Sequence, residues 1–243
     1  MNSTLAAPRV QRLRHEIVRR EVQVARVESL GPHLRSITFA GDALDGFVSA
    51  SFDDHVKLFL DEGGVRRDYT PRRYDSAERE LTIEFDLHSG GPAARWAAQA
   101  QPGQRATIAG PRGSFVIAMD HDWHLLVGDE TALPAIARRL EELPAGTRAI
   151  VVLQVADPAD RRALPSAAHV ELLWVDDADA LIAAVRALPL PAGEGYAWCA
   201  GEAAAMAALR RVLVDEKGHP RDAIRAAAYW KRGAEAHHEN LEG

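Results

Sequence analysis

Arg67-Asp68-Tyr69-Thr70-Pro71-Arg72 places an aromatic ring, a hydroxyl and two guanidinium groups within one short segment. In an extended chain alternate side chains point to opposite faces. Arg67 and Tyr69 therefore line one side with Pro71 next along it, while Thr70 and Arg72 line the other or swing into a turn. A flat ring to stack on, a polar group at the ring edge and cations for phosphates are what a flavin requires of its binding surface. The same residues also suit an ordinary edge strand with solvated arginines and a half-buried tyrosine.

Three further segments carry chemistry. In His88-Ser89-Gly90-Gly91-Pro92-Ala93-Ala94-Arg95-Trp96, glycines precede a proline at a first helical position. The exposed backbone N–H groups of such a turn form an anion site, although a plain helix start has the same composition. Gly128-Asp129-Glu130-Thr131-Ala132-Leu133-Pro134 follows an apolar run and opens a helix, where open parallel sheets bind ligands. It lacks the Gly-x-Gly-x-x-Gly spacing, and two acids at that turn repel a pyrophosphate. Asp129 and Glu130 suit the positive end of a helix instead, leaving Thr131 and backbone amides nearer a nicotinamide cofactor. Tyr229-Trp230-Lys231-Arg232-Gly233 joins two aromatics to two cations, a composition that equally suits a solvated helix end.

In this order the four segments resemble siderophore-interacting proteins, flavin-dependent ferric-siderophore reductases of the ferredoxin-reductase superfamily, over roughly residues 15–235. The resemblance implies an FAD site built from Arg67, Tyr69, Thr70, Arg72, Asp86, His88, Gly91, Pro92, Ala93, Thr131 and Trp230. The glycine–proline turn would lie against the pyrophosphate, and Trp230 would cover the ring. It also implies a cationic substrate pocket of Lys57, Arg112, Lys231 and Arg232, a ferric siderophore as substrate, and NAD(P)H or a reduced ferredoxin as donor. Neither a catalytic acid or base nor a resident metal is expected. Two rivals share the flavin site: a ferredoxin or flavodoxin reductase, and a flavin-binding module without turnover.

Related reductases place a Cys-Gly pair near the nicotinamide. Here Ala200 separates Cys199 from Gly201, so Cys199 reads as a small core residue. Beyond the run Ala149–Val155, Asp157 suits a ribose 2′-hydroxyl, whereas Arg161 and Arg162 suit a 2′-phosphate. The choice between NADH and NADPH stays open. His237 and His238 are adjacent and share no face of a regular element, so they are not expected to ligate metal together.

These residues need a scaffold. From Ile17 to Phe85, short runs at Glu21–Ser29, Arg35–Ala40, His55–Leu60, Arg66–Thr70 and Glu80–Phe85 are punctuated by turns such as Gly31-Pro32 and Asp61-Glu62-Gly63-Gly64. With Arg105–Ala109 they predict an antiparallel FAD-binding β-barrel. Beyond Phe115 the runs His124–Val127, Ala149–Val155, Val170–Val175 and Tyr196–Ala200 alternate with helical stretches at Ala132–Leu143, Asp179–Leu188 and Glu202–Asp215. Strands alternating with helices predict a doubly wound parallel sheet of the NAD(P)-binding type. The expected domains are residues 1–117 and 118–243. The first 15 residues should form a flexible arm within a basic start, Met1–Arg20, that holds five arginines.

The chain has 243 residues, 47% of them hydrophobic, enough for two packed domains. A net charge of −6 argues against a nucleic-acid binder that relies on overall positive charge. A single cysteine rules out an intrachain disulfide and any multi-cysteine metal site. With no signal-peptide core and no long apolar run, the expectation is a cytoplasmic monomer without membrane insertion.

Overall fold

The computed structural model describes residues 9–60, 66–88, 90–233 and 239–240. The turn expected at Asp61–Gly64, Ser89 of the glycine segment, and His237 and His238 lie outside these.

The N-terminal half contains β1 (Val10–Arg14), β2 (Arg19–Ser29), β3 (Leu34–Ala40), β4 (Val56–Phe59), β5 (Arg66–Tyr69), β6 (Arg73–Asp75), β7 (Glu80–Asp86), helix α1 (Pro92–Ala98), β8 (Arg105–Ala109) and β9 (Gly113–Ile117). Seven of these strands form one antiparallel sheet in the order β5-β4-β8-β2-β3-β7-β6. Alternation drives it. In β7, Leu81, Ile83 and Phe85 are buried while the residues between them are half-exposed. These side chains meet Val22, Val24, Ile37, Phe39, Val56, Leu58 and Ile108 in one core.

The two edges of the sheet belong to one stretch of chain. Residues 66–69 pair with β4; residues 73–75 pair with β7, joined by the Arg72 N–H to the Thr82 carbonyl at 2.9 Å. The hexapeptide is where the chain passes from one edge to the other, so the sheet curls into a half-barrel. The expected flexible arm is corrected from Val10 onward, because β1 pairs antiparallel with β9. Its charge-rich composition hid a strand whose register is set by its partner.

The C-terminal half contains β10 (Trp123–Gly128), α2 (Leu133–Glu142), β11 (Arg148–Gln154), β12 (His169–Val175), α3 (Ala178–Ala187), β13 (Gly195–Glu202), α4 (Ala203–Arg211), β14 (Ile224–Trp230) and β15 (Glu239–Asn240). The sheet order is β12-β11-β10-β13-β14-β15, parallel throughout except for β15. Chain order reverses between β10 and β13, which opens a crevice at their C-terminal ends. Helix α2 covers one face through Leu133, Ile136 and Leu140. Helices α3 and α4 cover the other through Leu181, Val185, Met206 and Leu209.

The two sheets share buried surface. Leu34, Phe52 and Ile117 of the first half lie in the same apolar cluster as Ile136, Leu140 and Trp198 of the second. Arg139 of α2, 2% exposed, donates to the carbonyls of Ile117 and Ala118 at 3.2 and 2.9 Å. Burial brings its guanidinium down to about 10, still charged at neutral pH.

Candidate flavin and nucleotide site

On β5 the register sets Tyr69 across from Val56 and Asp68 across from Lys57. Tyr69 therefore turns to the core side, where its ring lies 4.4 Å from that of Phe85. Phe85 in turn lies 5.9 Å from Trp96 of α1, so an aromatic chain links the hexapeptide to the glycine–proline helix. Burial, reinforced by Asp86, pushes the Tyr69 phenol well up and keeps it neutral. The Arg67 guanidinium donates to the Arg66 carbonyl at 2.9 Å and has no acidic partner at ion-pair distance among the described residues.

Helix α1 begins at Pro92, as its sequence predicts. Gly91 ahead of it is extended and provides no side-chain cap. The first turn, with Ala93 and Ala94 buried, keeps donors available for an anion. An Arg67 without an acidic partner among the described residues, a half-buried Tyr69 ring and a first turn with no side-chain cap on neighbouring elements fit the ring and pyrophosphate of FAD.

Other expected ligands are committed elsewhere. Arg72 forms a two-point contact with Glu141 of α2 at 2.9 and 2.5 Å. Its Nε lies 3.2 Å from Glu84. Thr70, 7% exposed, shares a hydrogen bond with Tyr229 of β14. The Asp86 carboxylate accepts the His88 backbone N–H at 3.1 Å. The His88 ring stacks on His33 at 3.9 Å and faces Asp160 at 3.3 Å. Apart from the Asp86–His88 contact, these partners stand on other elements, which a local motif does not show.

The crevice between β10 and β13 is filled by acids. Asp129, 2% exposed, accepts the Thr131 N–H at 3.0 Å and its hydroxyl at 2.5 Å on Oδ1. Its Oδ2 accepts the Glu202 N–H at 2.9 Å and the Trp230 indole N–H at 2.8 Å. Burial raises the Asp129 carboxyl despite these donors. Glu202 caps α4, accepting from the amides of Ala204 and Ala205. Thr131 is thus turned to Asp129, and two acids stand at the turn that opens α2. Gly201 has φ of +149°, and a Cβ there would strike the Asp129 carboxylate. Trp230, 38% exposed, is held at this crevice.

Of the expected substrate cations, Lys57 pairs with Asp68 at 2.8 Å, on the opposite face of the β4–β5 ribbon from Tyr69. Arg112 is exposed in the loop that leaves β8 at Ala109, which lies across from Lys57. Lys231 and Arg232 are exposed beyond Trp230. Arg161 pairs with Asp176 at 2.5 Å, and Arg162 pairs with Glu84 on the other sheet. The Cys199 thiol is fully buried and pushed up to about 12, in keeping with a core residue. A cavity of about 310 Å³ bounded by His121, Trp123 and His219 lies at the opposite end of the parallel sheet from the crevice.

Comparison with known proteins decides the family. The "Siderophore-interacting FAD-binding domain" model matches residues 23–67 and 60–115, and the "Siderophore-interacting protein" model matches residues 121–233. The chain belongs to the siderophore-interacting protein family. It is 38% identical to the NADPH-dependent ferric-chelate reductase of Escherichia coli over 95% of this chain and 99% of that one. It is 32% identical to the ferric vibriobactin reductase ViuB of Vibrio cholerae, covering 90% and 93%. A siderophore utilization protein from T. fusca superposes with a TM-score of 0.88 at 33% identity, covering 94% of this chain and 98% of that one. The half-barrel beside a parallel sheet is thus the ferredoxin-reductase-like arrangement expected from the sequence.

Proposed function

We propose that the protein is an FAD-dependent ferric-siderophore reductase that takes electrons from NAD(P)H and releases ferrous iron. The observation that carries this reading is end-to-end similarity to a ferric-chelate reductase, together with an Arg67 that has no acidic partner among the described residues, a Tyr69 platform and an α1 turn without a side-chain cap on adjoining elements. When bound, FAD supplies the conversion between a two-electron hydride donor and one-electron ferric iron. Arg67 and the α1 turn would hold its phosphates, and Tyr69 would offer a surface for its ring. Trp230, tethered to Asp129, would cover the ring.

Siderophores hold Fe(III) through hard anionic oxygens, and the less charged Fe(II) binds them less well, so reduction releases the metal. The protein's task at the substrate is electrostatic. In a chain of net charge −6, exposed Arg112, Lys231 and Arg232 provide the local positive field. No side chain need donate or accept a proton. The same reading makes the protein a cytoplasmic monomer.

One observation favours a second donor. With Asp129, Glu130 and Glu202 filling the crevice, a reduced carrier protein such as ferredoxin reaches the flavin without needing a pyrophosphate cradle. Anaerobic mixing with NADH, NADPH or reduced ferredoxin, with a ferrous-specific chelator present, separates these donors. Flavin bleaching followed by ferrous capture with a ferric siderophore supports the proposal. Bleaching without ferrous release refutes it. Lys231→Ala with Arg232→Ala should raise KM for an anionic ferric siderophore and flatten its salt dependence, whereas Lys57→Ala, already neutralised by Asp68, should change little.

A further inference from the structure

Between β5 and β6 the hexapeptide leaves its ladder partners. Thr70, Pro71 and Arg72 lie outside both strands, and the Arg72 N–H still reaches the sheet at the Thr82 carbonyl. An extended stretch without ladder bonds keeps its shape when other groups take up its polar atoms. Here the second half of the chain supplies them. The Pro71 carbonyl accepts from Arg138 Nη1 at 2.8 Å, and Pro71 itself is buried. Arg72, next along, pairs with Glu141, and Thr70 shares a hydrogen bond with Tyr229. Arg138 and Glu141 stand three residues apart on α2 and so share one face of the helix.

On the strength of the FAD reading proposed above, we infer that Arg138 is a positioning residue for the flavin segment, supplied across the interface by the parallel-sheet half. Its guanidinium is a fork held at several points. Nη1 donates to the Ser49 hydroxyl at 2.8 Å as well as to Pro71, Nη2 donates to the Ser49 carbonyl at 3.0 Å, and Nε donates to Glu142 at 2.7 Å. Glu142, one turn further along α2, orients the fork from its own helix. The Arg138 side chain is 14% exposed, so these bonds are largely shielded from water. A lysine would bring the same charge on a single nitrogen, which does not span Ser49 and Pro71 as a planar fork does. Tyr69 and Thr70 directly precede Pro71, so a fixed Pro71 carbonyl sets how the end of β5 is presented. Released from Arg138, the segment keeps its pairing over Arg66–Tyr69 but gains freedom at the crossing that follows. Neighbouring Arg139 grips the half-barrel elsewhere, at the Ile117 and Ala118 carbonyls. The two arginines therefore separate local positioning of the hexapeptide from general cohesion of the two halves.

The test uses the full-length protein and two readouts: FAD affinity by fluorescence, and the rate of tryptic cleavage after Arg72 and Arg73 in the FAD-free form. Arg138→Leu and Arg138→Lys should each weaken FAD binding about tenfold and speed cleavage at least about fivefold, the scale of one lost charge-assisted hydrogen bond. Arg139→Met should leave both readings near those of the parent. Circular dichroism checks the fold of each variant, and if Arg138→Leu does not fold, Arg138→Lys decides. Parental affinity in Arg138→Lys, or equal losses in the Arg138 variants and Arg139→Met, would overturn the assignment. A parent that takes up no FAD would refute the reductase reading instead, while the cleavage rates would still show whether Arg138 fixes residues 70–72.

Discussion

At the residue scale the hexapeptide divides its labour. Tyr69 and Arg67 are the proposed flavin contacts, while Thr70 reaches Tyr229 of β14 and Arg72 reaches Glu141 of α2. Tyr69→Ala should weaken FAD retention by about 0.5–1.5 kcal/mol, a loss of roughly two- to tenfold in affinity. Fluorescence titration of apoprotein with FAD measures it, and unchanged affinity would remove Tyr69 from the ring site. The segment was legible through its Arg-x-Tyr-Thr-x-Arg order, which resembles the flavin signature of the family, since its composition alone also suits a plain edge strand. The partners of Arg72 were not legible, since Glu84 approaches only through the pairing of the half-barrel and Glu141 only once α2 of the second half packs against it. Asp129 was read as a helix-start acid, and its sequence carried no sign that it would gather Thr131, Glu202 and Trp230 around one carboxylate.

At the scale of elements, Glu84 of β7 binds the guanidinium groups of both Arg72 and Arg162. Glu84→Gln keeps the shape but removes the charge, and should cost about 1–3 kcal/mol in urea unfolding. Adding Arg162→Leu removes the stranded cation, so the double variant should lose less than the sum of the singles. Strict additivity would mean that the two residues do not interact. The predicted strands and helices matched where alternation or helical period was strong, as in β7 and α2. Strand β14 went unseen because Ala226-Ala227-Ala228 carries no β-branched signal and alanine favours helix. Those small side chains suit a strand set between β13 and β15 and packed into apolar clusters on both faces, a demand set by packing rather than by propensity.

For the molecule as a whole, acid acts through His124 at the start of the parallel sheet. Burial, aided by the Arg139 guanidinium, lowers its imidazole from 6.5 to about 4. The unfolded chain therefore takes up a proton below 6.5 that the folded chain refuses. Stability is fully present above that value and falls as pH drops toward 4. Between pH 7 and 5 this group should cost about 2 kcal/mol. The Asp54 and Asp129 carboxyls, raised by burial, act in the opposite direction. The measurement is therefore the difference between parent and His124→Gln in urea unfolding at the two pH values. The variant should lose less on acidification, and identical slopes would exclude His124 as the source.

The pairing of β2 with β8 and of β1 with β9 sets the order in which this chain can mature on the ribosome. The meander of β2, β3, β7 and β6 can assemble as soon as it emerges. The other flank of β2 must stay bare until Ala109 has been made, and β1 has no partner until Ile117 follows. Leu34 and Phe52 remain wet longer still, because their apolar neighbours Ile136, Leu140 and Trp198 are translated later. Nascent protein thus carries an open strand edge and a greasy face through much of its synthesis, the interval in which a holdase chaperone would have most to shield.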